Sequence, residues 1–167
     1  MRLATRCSPL LFALACALPL PVFADASPAQ RAMAAAEASL ARQPGAEGLA
    51  ALALAHARRA RETADIIARA FGEVPVVERT ELDYHAPVEV ALGWLEQLPG
   101  PGTVLVVGHQ PHLGLLAGLL LTGAARPLIA FRKGGAALLE FPDRIRAGEG
   151  VLHWALTASQ LRSLKQD

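Results

Sequence analysis

Thr103-Val104-Leu105-Val106-Val107-Gly108-His109-Gln110-Pro111-His112 is the stretch on which the fold turns. Five strand-forming residues in a row, with no polar alternation, read as a strand buried on both faces, the pattern of a parallel sheet. Gly108 permits a sharp turn, which puts His109 at the carboxyl edge of the sheet, where open α/β sheets bind their ligands. Pro111 fixes the exit into an apolar helix over 113–121, whose first amides favour an anion. Gly114 and Gly118 fall on one side of that helix and leave room for a close neighbour, and Gly123 ends it.

Working outward, further strands are expected over 128–131 and 136–141, joined through Arg132-Lys133-Gly134-Gly135, and a last one over 151–156. Thr157 with Gln160 then caps a C-terminal turn. Upstream, Pro99-Gly100-Pro101-Gly102 is a hard break after a helix that opens at Pro87 and carries Val90, Leu92, Trp94, Leu95 and Leu98. Val74, Val76 and Val77, interrupted by Pro75, read as a short or edge strand. A long helix is expected over 49–71, closed by Gly72, and another from the capping residues Ser27-Pro28-Ala29-Gln30 to Arg42. Between Asp25 and Glu62 there is no Val, Ile, Thr, Phe, Tyr or Trp, so no strand is expected there. Helices alternating with isolated apolar strands indicate an α/β protein, a three-layer sandwich with a mostly parallel sheet.

The 167 residues suit one domain, and 53% hydrophobic against 19% charged side chains excludes a disordered chain. Ala and Leu supply 34 and 28 positions, a helix-favouring vocabulary. Sixteen Lys and Arg against fifteen Asp and Glu leave a formal charge of +1, so no general basic field exists to collect nucleic acid or anionic membrane. Any anion site must be local.

The amino-terminal residues have a grammar of their own. Arg2 and Arg6 precede an apolar stretch over 9–23, and Val22-Phe23-Ala24 comes before Asp25, which reads as a secretory signal over 1–24 followed by a mature domain over 25–167. The stretch is too short and too interrupted by Pro19 and Pro21 for a permanent membrane span. Cleavage would place the protein outside the cytoplasm or in a periplasm; a mis-assigned start would leave it cytoplasmic. Both cysteines, Cys7 and Cys16, fall inside this leader, so a cleaved chain offers neither a disulfide nor a thiolate metal site.

Two further groups carry chemical potential. Arg58-Arg59-Ala60-Arg61-Glu62-Thr63-Ala64-Asp65 pairs Arg58 with Glu62 and Arg61 with Asp65 at i,i+4, an ordinary solvated helix face. Arg59 falls on another face, between His56 and Thr63, where its guanidinium could fork onto phosphate oxygens. Glu81 and Asp83 are carboxylates in a short polar segment, equally readable as an exposed loop.

Four stretches resemble the histidine phosphatase superfamily in order and spacing: Arg59 to Ala64, Val106 to Pro111, Phe131 to Leu139 and Leu156 to Leu164. The likeness covers about 56–164 and is nearest the small bacterial phosphohistidine phosphatases of the SixA type. It implies a metal-free and cofactor-free pocket in which one histidine attacks phosphorus, two arginines and a second histidine bind the phosphate oxygens, and an acid protonates the leaving group. By this resemblance His109 matches the second histidine, Arg59 matches the arginine of the family's Ser-Pro-x-x-Arg-Ala signature, and Glu81 or Asp83 lies where the acid is carried. Ala55-His56 replaces the Ser-Pro of that signature. The expected partner is a phosphorylated small molecule or a phosphohistidine protein.

One departure bears on catalysis. The family's first strand ends in Arg-His-Gly or Arg-His-Ala and carries the nucleophile, whereas no Arg-His pair occurs anywhere in this sequence. The resemblance with this departure implies the phosphatase fold lacking its usual first strand, and a phosphohistidine phosphatase or phosphomonoesterase whose covalent route has lost its first step. The alternative is an exported, non-catalytic domain that binds phosphate-bearing ligands or a partner.

Overall fold

The computed structural model describes residues 8–14, 49–55, 58–72, 74–98 and 102–164. Among these, six strands form one sheet in the order β3-β2-β4-β1-β5-β6, with β1 Ser8–Leu14, β2 Leu49–Ala55, β3 Val76–Arg79, β4 Thr103–Gly108, β5 Gly135–Phe141 and β6 Val151–Leu156. The pairings β3 with β2, β2 with β4 and β4 with β1 are parallel; β1 with β5 and β5 with β6 are antiparallel. Helices α1 Arg58–Ala70, α2 Val88–Glu96, α3 His112–Thr122 and α4 Ala158–Ser163 connect or follow them.

The side chains of adjacent residues in β3 show how the layers are arranged. Glu78 accepts a hydrogen bond from Arg61 of α1 at 2.8 Å, while the guanidinium of Arg79 lies 5.3 Å from the ring centre of Trp94 in α2. Neighbouring strand residues point to opposite faces, so α1 and α2 cover opposite sides of the sheet. Helix α3 packs against α2, and α4 against β5 and β6. Leu105, Val106 and Val107 of β4 are fully buried between the helical layers, as the unbroken apolar run requires. The core is completed by Ile67, Leu82, Leu95 and Phe141.

Three expectations are corrected. The sheet does not lack a strand at its centre: Ser8–Leu14 fills the place between β4 and β5, in parallel register with the first and antiparallel register with the second. A short apolar run fits a doubly buried strand as well as the hydrophobic part of a leader, and periodicity alone cannot separate them. The helix expected over 49–71 begins only at Arg58; Leu49–Ala55 is β2, hydrogen-bonded on both sides. Ala51-Leu52-Ala53-Leu54-Ala55 alternates with period two, and pairing on both sides outweighs the weak strand preference of alanine.

The strand expected over 128–131 does not form either. Pro127 withholds a ladder donor, and the segment instead makes tight turns, with Leu128 N donating to Arg126 O at 2.8 Å and Phe131 N to Ile129 O at 3.1 Å. Its carbonyls press on the glycine side of α3. A Cβ on Gly118 would lie 1.8 Å from Arg126 O, and one on Gly114 would lie 3.0 Å from Ile129 O. The helix expected over 27–42, His56 and the leader other than 8–14 lie outside the described residues.

The remaining elements agree with the patterns that announced them. Gly123 caps α3 in the left-handed conformation at φ 74°, and its amide donates to Leu119 O. Thr157 and Gln160 form a reciprocal capping box at the start of α4, with Gln160 Oε1 accepting from Thr157 N at 2.9 Å.

Candidate active site

The register of the sheet gathers the chemically interesting segments at one edge. Leu14, at the end of β1, pairs with Gly108 of β4 and with Gly135 of β5. Leu54 pairs with Val107, so β2 ends level with Gly108, and Ala55 pairs with Arg79 at the end of β3. Ala136 pairs with Leu156, which brings the end of β6 to the same edge. The segments that follow β2, β3 and β4 and the turn that precedes β5 therefore open together. Arg59, Glu81 with Asp83, His109, and Arg132 with Lys133 are carried on these four segments.

His109 is the first residue beyond β4. Its ring is half-buried with Nε2 sealed from solvent, and its carbonyl accepts from Leu113 N at 2.9 Å, which joins the turn to the first turn of α3. A Cβ on Gly108 would sit 3.2 Å from Leu113 Cγ, so the leucine side chain would have to give by a few tenths of an ångström. The Gln110-Pro111 peptide is cis. Gln110 does not face outward as a ligand group alone: its Nε2 donates to Ile129 O at 3.3 Å and ties the turn to the 124–131 segment. No side chain caps α3, and of its first amides Leu113 N is already spent on His109 O.

Arg59 is the second residue of α1, four positions after Ala55, the last residue of β2. Arg61 is occupied elsewhere: it bonds Asp65 at 3.2 Å and Glu78 at 2.8 Å on an exposed surface, as the i,i+4 spacing suggested. Glu81 lies in the 3-10 turn Thr80–Leu82 directly after β3, and Asp83 follows it. Leu82 between them is buried and pins the turn to the core. Glu81 and Asp83 are both partly buried residues. Arg132 and Lys133 are exposed in the turn closed by Gly135 N donating to Arg132 O at 2.8 Å.

The residue that sequence reasoning left without a role is His112. It is 3% exposed, neither ring nitrogen has a hydrogen-bond partner, and burial pushes its pKa below the ordinary 6.5. The carbonyl of Ala86 and the charges of Asp83 and Glu89 act in the opposite direction more weakly. A histidine leading an otherwise apolar helix was the available signal.

Among the described residues no group of three histidine, cysteine, aspartate or glutamate side chains could hold a metal ion. Nor is any helix among them long and apolar enough to cross a membrane.

A six-stranded sheet with helices on both faces, and the segments after β2, β3 and β4 opening at one edge, defines the class as α/β. No protein-family model and no curated protein matches the sequence. Solved structures do. The protein histidine phosphatase SixA complexed with tungstate superposes with a TM-score of 0.74 at 19% identity, covering 92% of this chain and 99% of that one. A protein of Agrobacterium tumefaciens assigned as phosphohistidine phosphatase SixA gives 0.67 at 21% identity, covering 90% and 97%. The phosphoglycerate mutase of Plasmodium falciparum gives 0.64 at 14% identity, covering 96% of both. The chain has the fold of the histidine phosphatase superfamily.

Proposed function

We propose that the carboxyl edge of this sheet is a phosphoryl site of the histidine phosphatase type, taking a phosphohistidine protein or a phosphomonoester. The observation that carries the reading is the convergence of Arg59, Glu81, Asp83 and His109 on segments that open at one edge. In that role Arg59 and His109 bind the non-bridging oxygens, where preorganised donors gain most as charge develops on the transferring group. Glu81 or Asp83 supplies the proton to the leaving group.

A second reading, binding of a phosphate-bearing ligand without turnover, is favoured by one fact of the sequence. β1 occupies the centre of the sheet but is followed by Ala15-Cys16-Ala17 rather than by an Arg-His pair. Attack on phosphorus by a histidine at that point has no residue to perform it. In this reading the protein retains its ligand rather than hydrolysing it.

The purified full-length chain, incubated with a chromogenic phosphomonoester and with phosphohistidine, separates the two. Turnover lost in His109→Ala supports the enzyme. Phosphate-dependent thermal stabilisation without turnover supports the binding protein; ligand at about 100 times its dissociation constant adds roughly 2.7 kcal/mol. Neither response overturns the phosphoryl site.

A further inference from the structure

We propose that the segment from Arg126 to Lys133 is a docking strap for an acidic stretch of a protein partner, so that the phosphoryl group reaching the sheet edge is carried by a protein rather than by a small ester. The consequence for the substrate rests on the phosphoryl reading; the strap itself rests on its own charge and placement. Residues 122–139 hold three cations, Arg126, Arg132 and Lys133, and no carboxylate. All three are exposed, and the ion pairs seen among the described residues use other cations. Elsewhere the charges are mixed: Arg61 is held by Asp65 and Glu78, and the 142–150 loop carries Arg144 and Arg146 together with Asp143 and Glu149. A local positive excess therefore falls on this segment, in a chain whose formal charge is only +1.

Placement makes the excess usable. Ile129 packs on the core and Phe131 is buried, while Leu128, Ala130 and Arg132 are exposed, so alternate residues anchor the strap and leave an outer row. Leu128 is 52% exposed, an apolar side chain between the two arginines in that row. The backbone is held in place: Ile129 O accepts from Gln110 Nε2 at 3.3 Å, and Arg126 O lies against Gly118 of α3. The strap ends in the Arg132–Gly135 turn, which opens at the same sheet edge as the turn bearing His109. From Arg126 to Arg132 is at most about 22 Å of chain. A small phosphoester at the edge meets only the near end of that length. An extended partner segment matches all of it, with carboxylates set against the two arginines and an apolar side chain against Leu128.

The test reads docking without requiring turnover. Full-length protein is titrated into a short fluorescent peptide of glutamates around one leucine, and binding is followed by anisotropy. The peptide binds, and binding weakens several-fold in Arg126→Glu, in Leu128→Ser and as salt is raised. Arg144→Glu, which reverses an exposed cation outside the strap, binds as wild type does. An equal loss in Arg144→Glu, or no loss in Arg126→Glu or in Leu128→Ser, overturns the proposal. Capture of phosphatidylserine vesicles in place of the peptide assigns the strap to a membrane instead, and a dimer in sedimentation that Arg126→Glu dissociates assigns it to a second copy of this chain. Thermal stabilisation by inorganic phosphate is measured on the same proteins and is unchanged in Arg126→Glu and Leu128→Ser. Phosphate stabilisation with peptide binding indifferent to the strap removes the docking surface alone. Strap-dependent peptide binding with no phosphate stabilisation leaves the docking surface standing and removes the phosphoryl reading.

Discussion

Leu14 at the end of β1 lies in parallel register with Gly108, the residue before His109. The same leucine faces Gly135 across β5, so β1 is the element through which the parallel half of the sheet is joined to the antiparallel half. Cleavage after Ala24 would remove Ser8–Leu14 with the rest of the first 24 residues. A cleaved chain and this sheet are therefore mutually exclusive, because β4 and β5 would each lose the backbone partner between them. The full-length protein is expected to melt cooperatively, and a chain starting at Asp25 to show no cooperative transition by circular dichroism or calorimetry. Equal melting of the two would show that β1 is dispensable. Intact-mass measurement of the folded protein recovered from cells should find residues 8–14 retained.

Arg59 and Arg61 stand two residues apart on α1 and should behave differently. Arg61 is paired with Asp65 and Glu78 on an exposed surface, where such pairs contribute only about 0.2–1 kcal/mol. Arg61→Ala should lower the melting temperature slightly and leave phosphate-dependent stabilisation intact. Arg59→Ala should abolish that stabilisation. Equal effects on phosphate response would remove Arg59 from the site.

Much of this layout could be read from the residues. The run Thr103 to Val107 announced a strand buried on both faces, and Gly108 then His109 announced the site at its end. Gly123 and the Thr157-Gln160 box marked helix boundaries because their backbone roles are local. Two strands were hidden for physical reasons. Leu49–Ala55 is built from residues with little intrinsic strand preference and becomes a strand through its neighbours on both sides. Ser8–Leu14 has a composition shared by leaders and buried strands. His112 was visible as a residue but not as a buried one, since burial depends on α2 closing over it, a contact no local pattern encodes.

Two glycines in adjacent helices make a paired test of packing. Gly118 in α3 has Arg126 O so close that a methyl group cannot enter without moving backbone, and Gly118→Ala should destabilise by about 1–3 kcal/mol. Gly93 in α2 has nothing within 4 Å of where a Cβ would lie, and Gly93→Ala should stabilise by about 0.5–1 kcal/mol through helix propensity. Urea melts of the two variants decide it. A tolerated Gly118→Ala would mean that the 124–131 segment does not rest on α3.

The burial of His112 also fixes the sign of one part of the stability profile. In the unfolded chain its imidazole takes up a proton near the ordinary value of 6.5, and in the folded protein only at lower pH. Between those two points unfolding binds a proton, so its contribution to stability is fully present above pH 6.5 and is lost as the pH falls toward the folded midpoint. Below that midpoint the slope from this residue vanishes. Denaturant melts of wild type and His112→Leu at a series of pH values isolate the term. The difference between the two proteins should be flat above neutrality and should move in favour of the leucine variant as the solution is acidified. A difference that stays constant from pH 8 down to pH 4, or moves the other way, would show that the ring is not held neutral by burial.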